Sequence, residues 1–166
     1  LLTDQRDFYA KNRDRGYYLA TSDDSTRLHQ FVRLLRGHEI SVDVLTEDVR
    51  AEGQFFPANE SIAISLNQPQ ATYLRSLWER RVEFEEDIFY DVSTWTMPLA
   101  FNLTHTTKAV PTAETAAMPS DFLRAATTLA DSNIGYLIDW RDSAAPALLY
   151  ALLEAGAQVK VAKRPL

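Results

Sequence analysis

Asp23 and Asp142 stand 119 residues apart, and each follows a short β-rich run and precedes an apolar-periodic stretch. In open α/β sheets, ligands bind beyond the carboxyl ends of the strands. With Asp24, Asp139 and Arg141 beside them, these residues could line a small polar pocket that takes a small ligand or a peptide. The same aspartates, with Asp24 and Ser143, could instead only accept bonds from the free amides of the helices that follow. The binding role needs both loops at one edge of one sheet, and the capping role does not.

Other chemistries lack their parts. His29, His38 and His105 are far apart and none belongs to an H-x-x-E, H-E-x-x-H or H-x-H pair, the short motifs from which a catalytic zinc usually takes two of its ligands. His29 and His38 read as surface or helix-end residues. Cysteine is absent, which removes disulfides, cysteine-based zinc sites and thiol nucleophiles together. Glu83, Glu85, Glu86, Asp87 and Asp91 could supply a general acid and base, but so dense an acidic run reads as a solvated segment. Asp91, between Tyr90 and Val92, is the one that should be capped or hydrogen-bonded. Ser93 has neither a nearby histidine nor the flanking glycines of a nucleophile elbow. Four of the five glycines punctuate a repeat, so no glycine-rich phosphate loop exists.

The elements that must position these residues are written twice. Gly16-Tyr17-Tyr18-Leu19-Ala20-Thr21, Asp23, a periodic stretch to Gly37 and the alternating Ile40 to Val44 form the first copy. Gly135-Tyr136-Leu137-Ile138-Asp139, Asp142, Gly156 and Val159-Lys160-Val161 match it without a gap. Strand, Asp/Ser turn, glycine-ended helix and second strand make a βαβ unit, whose strands run parallel with a right-handed crossover. The expected fold is therefore α/β, a three-layer sandwich with a mainly parallel sheet built from two related βαβ units, with Asp23 and Asp142 at its shared carboxyl edge.

In the first copy Leu28, Phe31, Val32, Leu34 and Leu35 form the buried helix stripe, and Gly37 is the expected left-handed closing residue. Ser61 to Leu66 reads as a third strand, and Asn67-Gln68-Pro69 opens a helix through Tyr73, Leu74, Leu77 and Trp78. Tyr90, Val92, Trp95, Met97, Leu99 and Phe101 should form a buried block, and Thr104 to Ser120 an exposed linker. In the second copy Ile134 to Ile138 is a predicted strand, and Pro146 starts a helix bearing Leu148, Leu149, Leu152 and Leu153. Residues 2–15 read as a charged helix or connector.

With 46% hydrophobic residues, residues 1–166 suit a single α/β domain whose core needs no metal or disulfide. A net charge of -6 argues against nucleic acid, whose binding relies on Lys and Arg neutralising phosphates. No run approaches the roughly 18 apolar residues of a membrane span. The start at Leu1 and the end soon after Val159 to Ala162 read as cuts from a longer chain, with a further strand expected beyond Leu166.

The segment Tyr90-Asp91-Val92-Ser93-Thr94-Trp95-Thr96-Met97-Pro98-Leu99-Ala100-Phe101 resembles a run found downstream of the catalytic domain in bacterial zinc carboxypeptidases of the carboxypeptidase A type. There, Tyr-Asp-Val-(Ser/Thr)-x-Trp-(Ser/Thr)-(Leu/Met)-Pro-Leu recurs. Ser61 to Gln70 and Gly135 to Val161 agree with the same group, so the resemblance covers most of the chain. It implies a class I glutamine amidotransferase-like, flavodoxin-like α/β sandwich. The peptidase's His-x-x-Glu motif and later His and Glu have no matching positions here, and the amidotransferase cysteine is missing. The implied role is a non-catalytic accessory domain that packs on, or presents substrate to, the peptidase domain of its parent chain. That domain would hold the zinc, this one would hold no cofactor, and the parent would be periplasmic or secreted. The alternative is a free-standing small-ligand or peptide-binding module using Asp23, Asp24, Asp139, Arg141 and Asp142.

Overall fold

Alternation of side chains between two apolar surroundings makes the central strands, and periodicity near 3.6 makes the helices that cover them. The computed structural model describes residues 16–80, 96–123 and 130–162. In chain order it contains β1 (Tyr17–Thr21), α1 (Ser25–Gly37), β2 (Asp43–Leu45), β3 (Val49–Ala51), β4 (Gln54–Phe56) and β5 (Ile62–Ser65). These are followed by α2 (Ala71–Trp78), α3 (Met97–Ala100), β6 (Thr104–His105), β7 (Thr115–Ala117) and α4 (Ala145–Glu154).

The five-stranded sheet has the order β6-β1-β5-β2-β7, and every neighbouring pair in it is antiparallel. This overturns the expected mainly parallel sandwich. β1 and β2 still run in the same direction, because each is antiparallel to β5, but β5 lies between them. The βαβ unit of the first copy is thus split by an inserted strand. Burial explains why β5 takes the centre: Ile62, Ala63 and Ile64 are all fully buried, and a strand apolar on both faces belongs inside a sheet.

On one face Ala20, Ile62 and Ile64 pack with Leu28, Phe31, Val32 and Leu35 of α1 and with Leu74 and Trp78 of α2. On the other, Leu19 and Ala63 pack with Leu45 and with Phe56 of the β3–β4 hairpin. Helices therefore cover one face and a hairpin the other, in place of the helix layers expected on both. Asp24 caps α1 as the turn chemistry predicts, while the left-handed residue after α1 is Glu39, at φ 59°, rather than Gly37.

The expected linker Thr104 to Ser120 supplies both edge strands. Their residues, Thr-His and Thr-Ala-Ala, are held by backbone pairing with β1 and β2, which leaves no apolar alternation to read. Val110 exchanges two backbone hydrogen bonds of 2.9 Å with Tyr17, drawing this segment against Gly16. A Cβ on Gly16 would lie 2.9 Å from the Val110 carbonyl oxygen, at φ 154°. Gly16→Ala is therefore expected to cost roughly 1–3 kcal/mol, the range for backbone forced into such a region, and to lower Tm by several degrees. Gly135, its repeat counterpart at φ 151°, has nothing within 4 Å of that position, so a thermal melt of Gly135→Ala should show a smaller shift.

Met97 and Phe101 pack against the core, but Leu99 is 53% exposed, which corrects the expected buried block at that position. Tyr90, Val92, Trp95, Ser93, Asp91 and the acidic run Glu83 to Asp87 lie outside the described residues, as do residues 2–15. In the second copy α4 forms with Pro146 in its first turn and Gly156 is left-handed, at φ 74°. Its expected strands do not form: neither Ile134 to Ile138 nor Val159 to Val161 is paired with any described strand. A strand exists through its neighbours' hydrogen bonds, and among the described residues these segments have none to use. No helix among the described residues is long and apolar enough to cross a membrane.

Candidate functional site

β1 ends at Thr21, and the Ser22-Asp23-Asp24 turn delivers the chain into α1 because Asp24 satisfies two amides at once. Its Oδ1 accepts from the Arg27 N–H at 3.1 Å, and its carboxylate also accepts from the Ser143 N–H at 3.0 Å and the Ser143 hydroxyl at 3.2 Å. Arg27 Nε adds a charged bond at 2.9 Å. Ser143 is the residue 119 positions after Asp24, so the two copies touch at equivalent positions, turn against turn.

This contact places Asp23, Asp24, Asp139, Arg141 and Asp142 around one cleft of about 420 Å³. All five residues singled out from the repeat come together. The route differs from the expected one, since among the described residues Asp142 follows no strand and the paired strands of the sheet are antiparallel. Ser22, Arg27, Asn102, Leu103 and Thr104 complete the wall. Of these, Arg27 was legible as a partner three residues after Asp24 on the first helical turn. Asn102 to Thr104 arrive from the chain after α3 and carry no local signal.

Most of the charge in the cleft is already engaged. Arg141 grips Asp139 through Nε at 3.0 and 3.1 Å and Nη2 at 2.6 Å, with the Arg141 N–H at 2.9 Å. This pairing holds the Asp139 carboxyl down at about 2. Burial alone would raise the Asp24 pKa, but the hydrogen bonds from Arg27 and Ser143 outweigh it and hold the carboxyl below the usual range. Asp142 Oδ1 accepts from the Ala144 N–H at 2.7 Å, closing a turn before α4. The capping role thus accounts for Asp24, whereas Asp142 only closes the turn ahead of α4, whose N-cap Ala144 makes no side-chain cap bond, and Asp23 is exposed. Four carboxylates face two guanidiniums, leaving an anionic cleft suited to a cationic group.

No histidine lines the cleft. His29 sits on α1 with its ring 5.8 Å from that of Phe122, and burial, then the Arg33 charge, lowers its pKa. His38 lies beyond α1 against Tyr73, and His105 is buried with Nδ1 3.0 Å from the Leu103 carbonyl oxygen. Among the described residues no group of three or more His, Cys, Asp or Glu side chains could hold a metal ion. The chain matches no family model, and comparison with curated proteins and with solved structures gives no significant match.

Proposed function

We propose that this chain is a non-catalytic accessory domain that works by docking, through its second repeat, on another protein domain. One observation carries the reading: Ile134, Leu137, Trp140, Tyr150 and Leu153, together in one short stretch of chain, are 102, 82, 62, 66 and 56% exposed. Single exposed apolar residues are ordinary on a protein surface, whereas a concentration of large ones marks an interaction site. The first copy supports the contrast, since Phe31 and Leu19, the counterparts of Tyr150 and Ile138, are fully buried. The resemblance to the carboxypeptidase group supplies the partner, a zinc peptidase domain, with this chain holding no metal of its own.

The test is calorimetric titration of the chain with a purified peptidase domain from that group. Saturable binding is expected, weakened at least tenfold by the paired exchange of Leu137 and Trp140 to serine, with an unchanged thermal melt for the first copy. Absence of binding, or binding indifferent to both substitutions, would reject the docking role. The cleft supports a second reading, a small-ligand or peptide-binding module in which Asp23 receives a cationic group. That reading requires ligand affinity to fall in Asp23→Asn while Leu137 and Trp140 do not matter.

A further inference from the structure

The two copies share a sequence pattern but differ in what covers them, and the first copy shows what the second lacks. β1 is flanked on both sides by antiparallel strands, and β5 pairs with it in the register Tyr17 with Ser65, Tyr18 with Ile64 and Leu19 with Ala63. Adding 119 to the β1 numbers gives Tyr136, Leu137 and Ile138. This segment leaves a glycine at φ 151°, as β1 leaves one at φ 154°, and leads through a turn into α4 as β1 leads into α1. Among the described residues nothing pairs with it, and the backbones of Leu137 and Ile138 make no hydrogen bond.

We infer that Tyr136 to Ile138 is an open strand position that accepts an antiparallel, apolar strand flanked by basic residues from the partner protein, in the place that β5 fills beside β1. This rests on the docking role and names its chemistry. Backbone hydrogen bonds would supply the affinity and the alternate side chains the selectivity, as in other cases of strand addition. Charge chooses the occupant. The cleft at the end of the segment carries Asp23, Asp24, Asp139 and Asp142 against Arg27 and Arg141, and Asp131 lies just before it. A second copy of this chain would bring the same excess of carboxylates to the contact, whereas lysines or arginines on the incoming strand would complement it.

The probe is a synthetic peptide carrying residues 61–66 of this chain between two lysines at each end, titrated into the full chain at low salt and followed by amide NMR. Expected are saturable binding, slowed exchange of amides within residues 136–138, and contacts placing Leu137 opposite the peptide's second isoleucine. Affinity should fall at least tenfold with a scrambled peptide, with glutamates replacing the lysines, and in Leu137→Pro, which removes the amide from an exposed position. Equal binding by the scrambled peptide, or by Leu137→Pro, would overturn the proposal. So would a dimer of the chain that Leu137→Pro abolishes, which would assign the edge to a second copy. If the peptide does not bind while the peptidase domain still does, strand addition fails and the docking role stands; if neither binds, both fail.

Discussion

Replacing Trp78 by alanine is expected to lower the unfolding free energy by roughly 3–5 kcal/mol, the range for deleting a core tryptophan or phenylalanine. The side chain is 3% exposed, stacks on Tyr18 with ring centroids 4.9 Å apart and meets Phe31 at 5.6 Å. Its indole N–H donates to the Thr106 carbonyl at 3.0 Å. Thr106 is itself fully buried, and its hydroxyl oxygen accepts from the Leu19 N–H at 3.1 Å. One ring therefore links α2, the chain after β6 and β1. Domains of this kind are held by only about 5–15 kcal/mol, so the loss should bring much of the population near unfolding at room temperature. Trp78→Phe keeps most of the apolar contact but leaves the Thr106 carbonyl without its donor, a cost of about 1–3 kcal/mol. Urea unfolding of the two variants separates packing from the hydrogen bond. If Trp78→Ala shifts the midpoint no further than Trp78→Phe, the indole's bulk is not what holds the three elements together.

The residues in that core were largely legible in the sequence. Of the five residues expected in the helix stripe, Leu28, Phe31, Val32 and Leu35 are buried while Leu34 is only partly buried against the core, and the stretch around Ile62 to Ser65 does form a strand. Strand direction was not legible, for a physical reason. A strand–helix–strand pattern constrains the relative direction of β1 and β2, which do run alike, but says nothing of whether a later strand enters between them. That choice depends on β5, whose burial on both faces makes it central, and whose hydrogen-bonding partners lie about 20 and 45 residues away in sequence. β6 and β7 escaped because short edges made of threonine, alanine and histidine are specified by backbone pairing alone. For the cleft, the repeat marked Asp23, Asp24, Asp139, Arg141 and Asp142 because each belongs to a turn next to a strand-like run. It could not mark Asn102 or Thr104, whose place depends on α3 and β6.

Removing the Asp24 carboxylate should release the second copy from the first. Between residues 130–162 and the rest of the described chain, the hydrogen bonds are the two from Ser143 to Asp24. Of the second copy's large apolar residues, most are exposed, so among the described residues little else binds the two copies together. Asp24→Ala also removes the cap on α1, worth about 0.5–2 kcal/mol. Asp24→Asn retains a capping side chain but not the charge, which separates fraying of α1 from loss of the tether. Limited proteolysis read at sites within 130–144 is expected to accelerate in both variants, while exchange of amides in the first turn of α1 accelerates mainly in Asp24→Ala. The pH dependence has a fixed sign. Because the folded state holds the Asp24 pKa below its ordinary 3.8, the tether contributes fully above about pH 4 and is lost as the pH falls through the lower folded value. Wild-type proteolysis by an acid-active protease should therefore rise below about pH 4, and the rise should be absent in Asp24→Asn, which is already untethered. A Ser143→Pro variant, without the donating amide, should reproduce the Asp24→Asn profile. If it cleaves like wild type across that range, the copies are joined by packing, and the carboxylate does no more than cap its own helix.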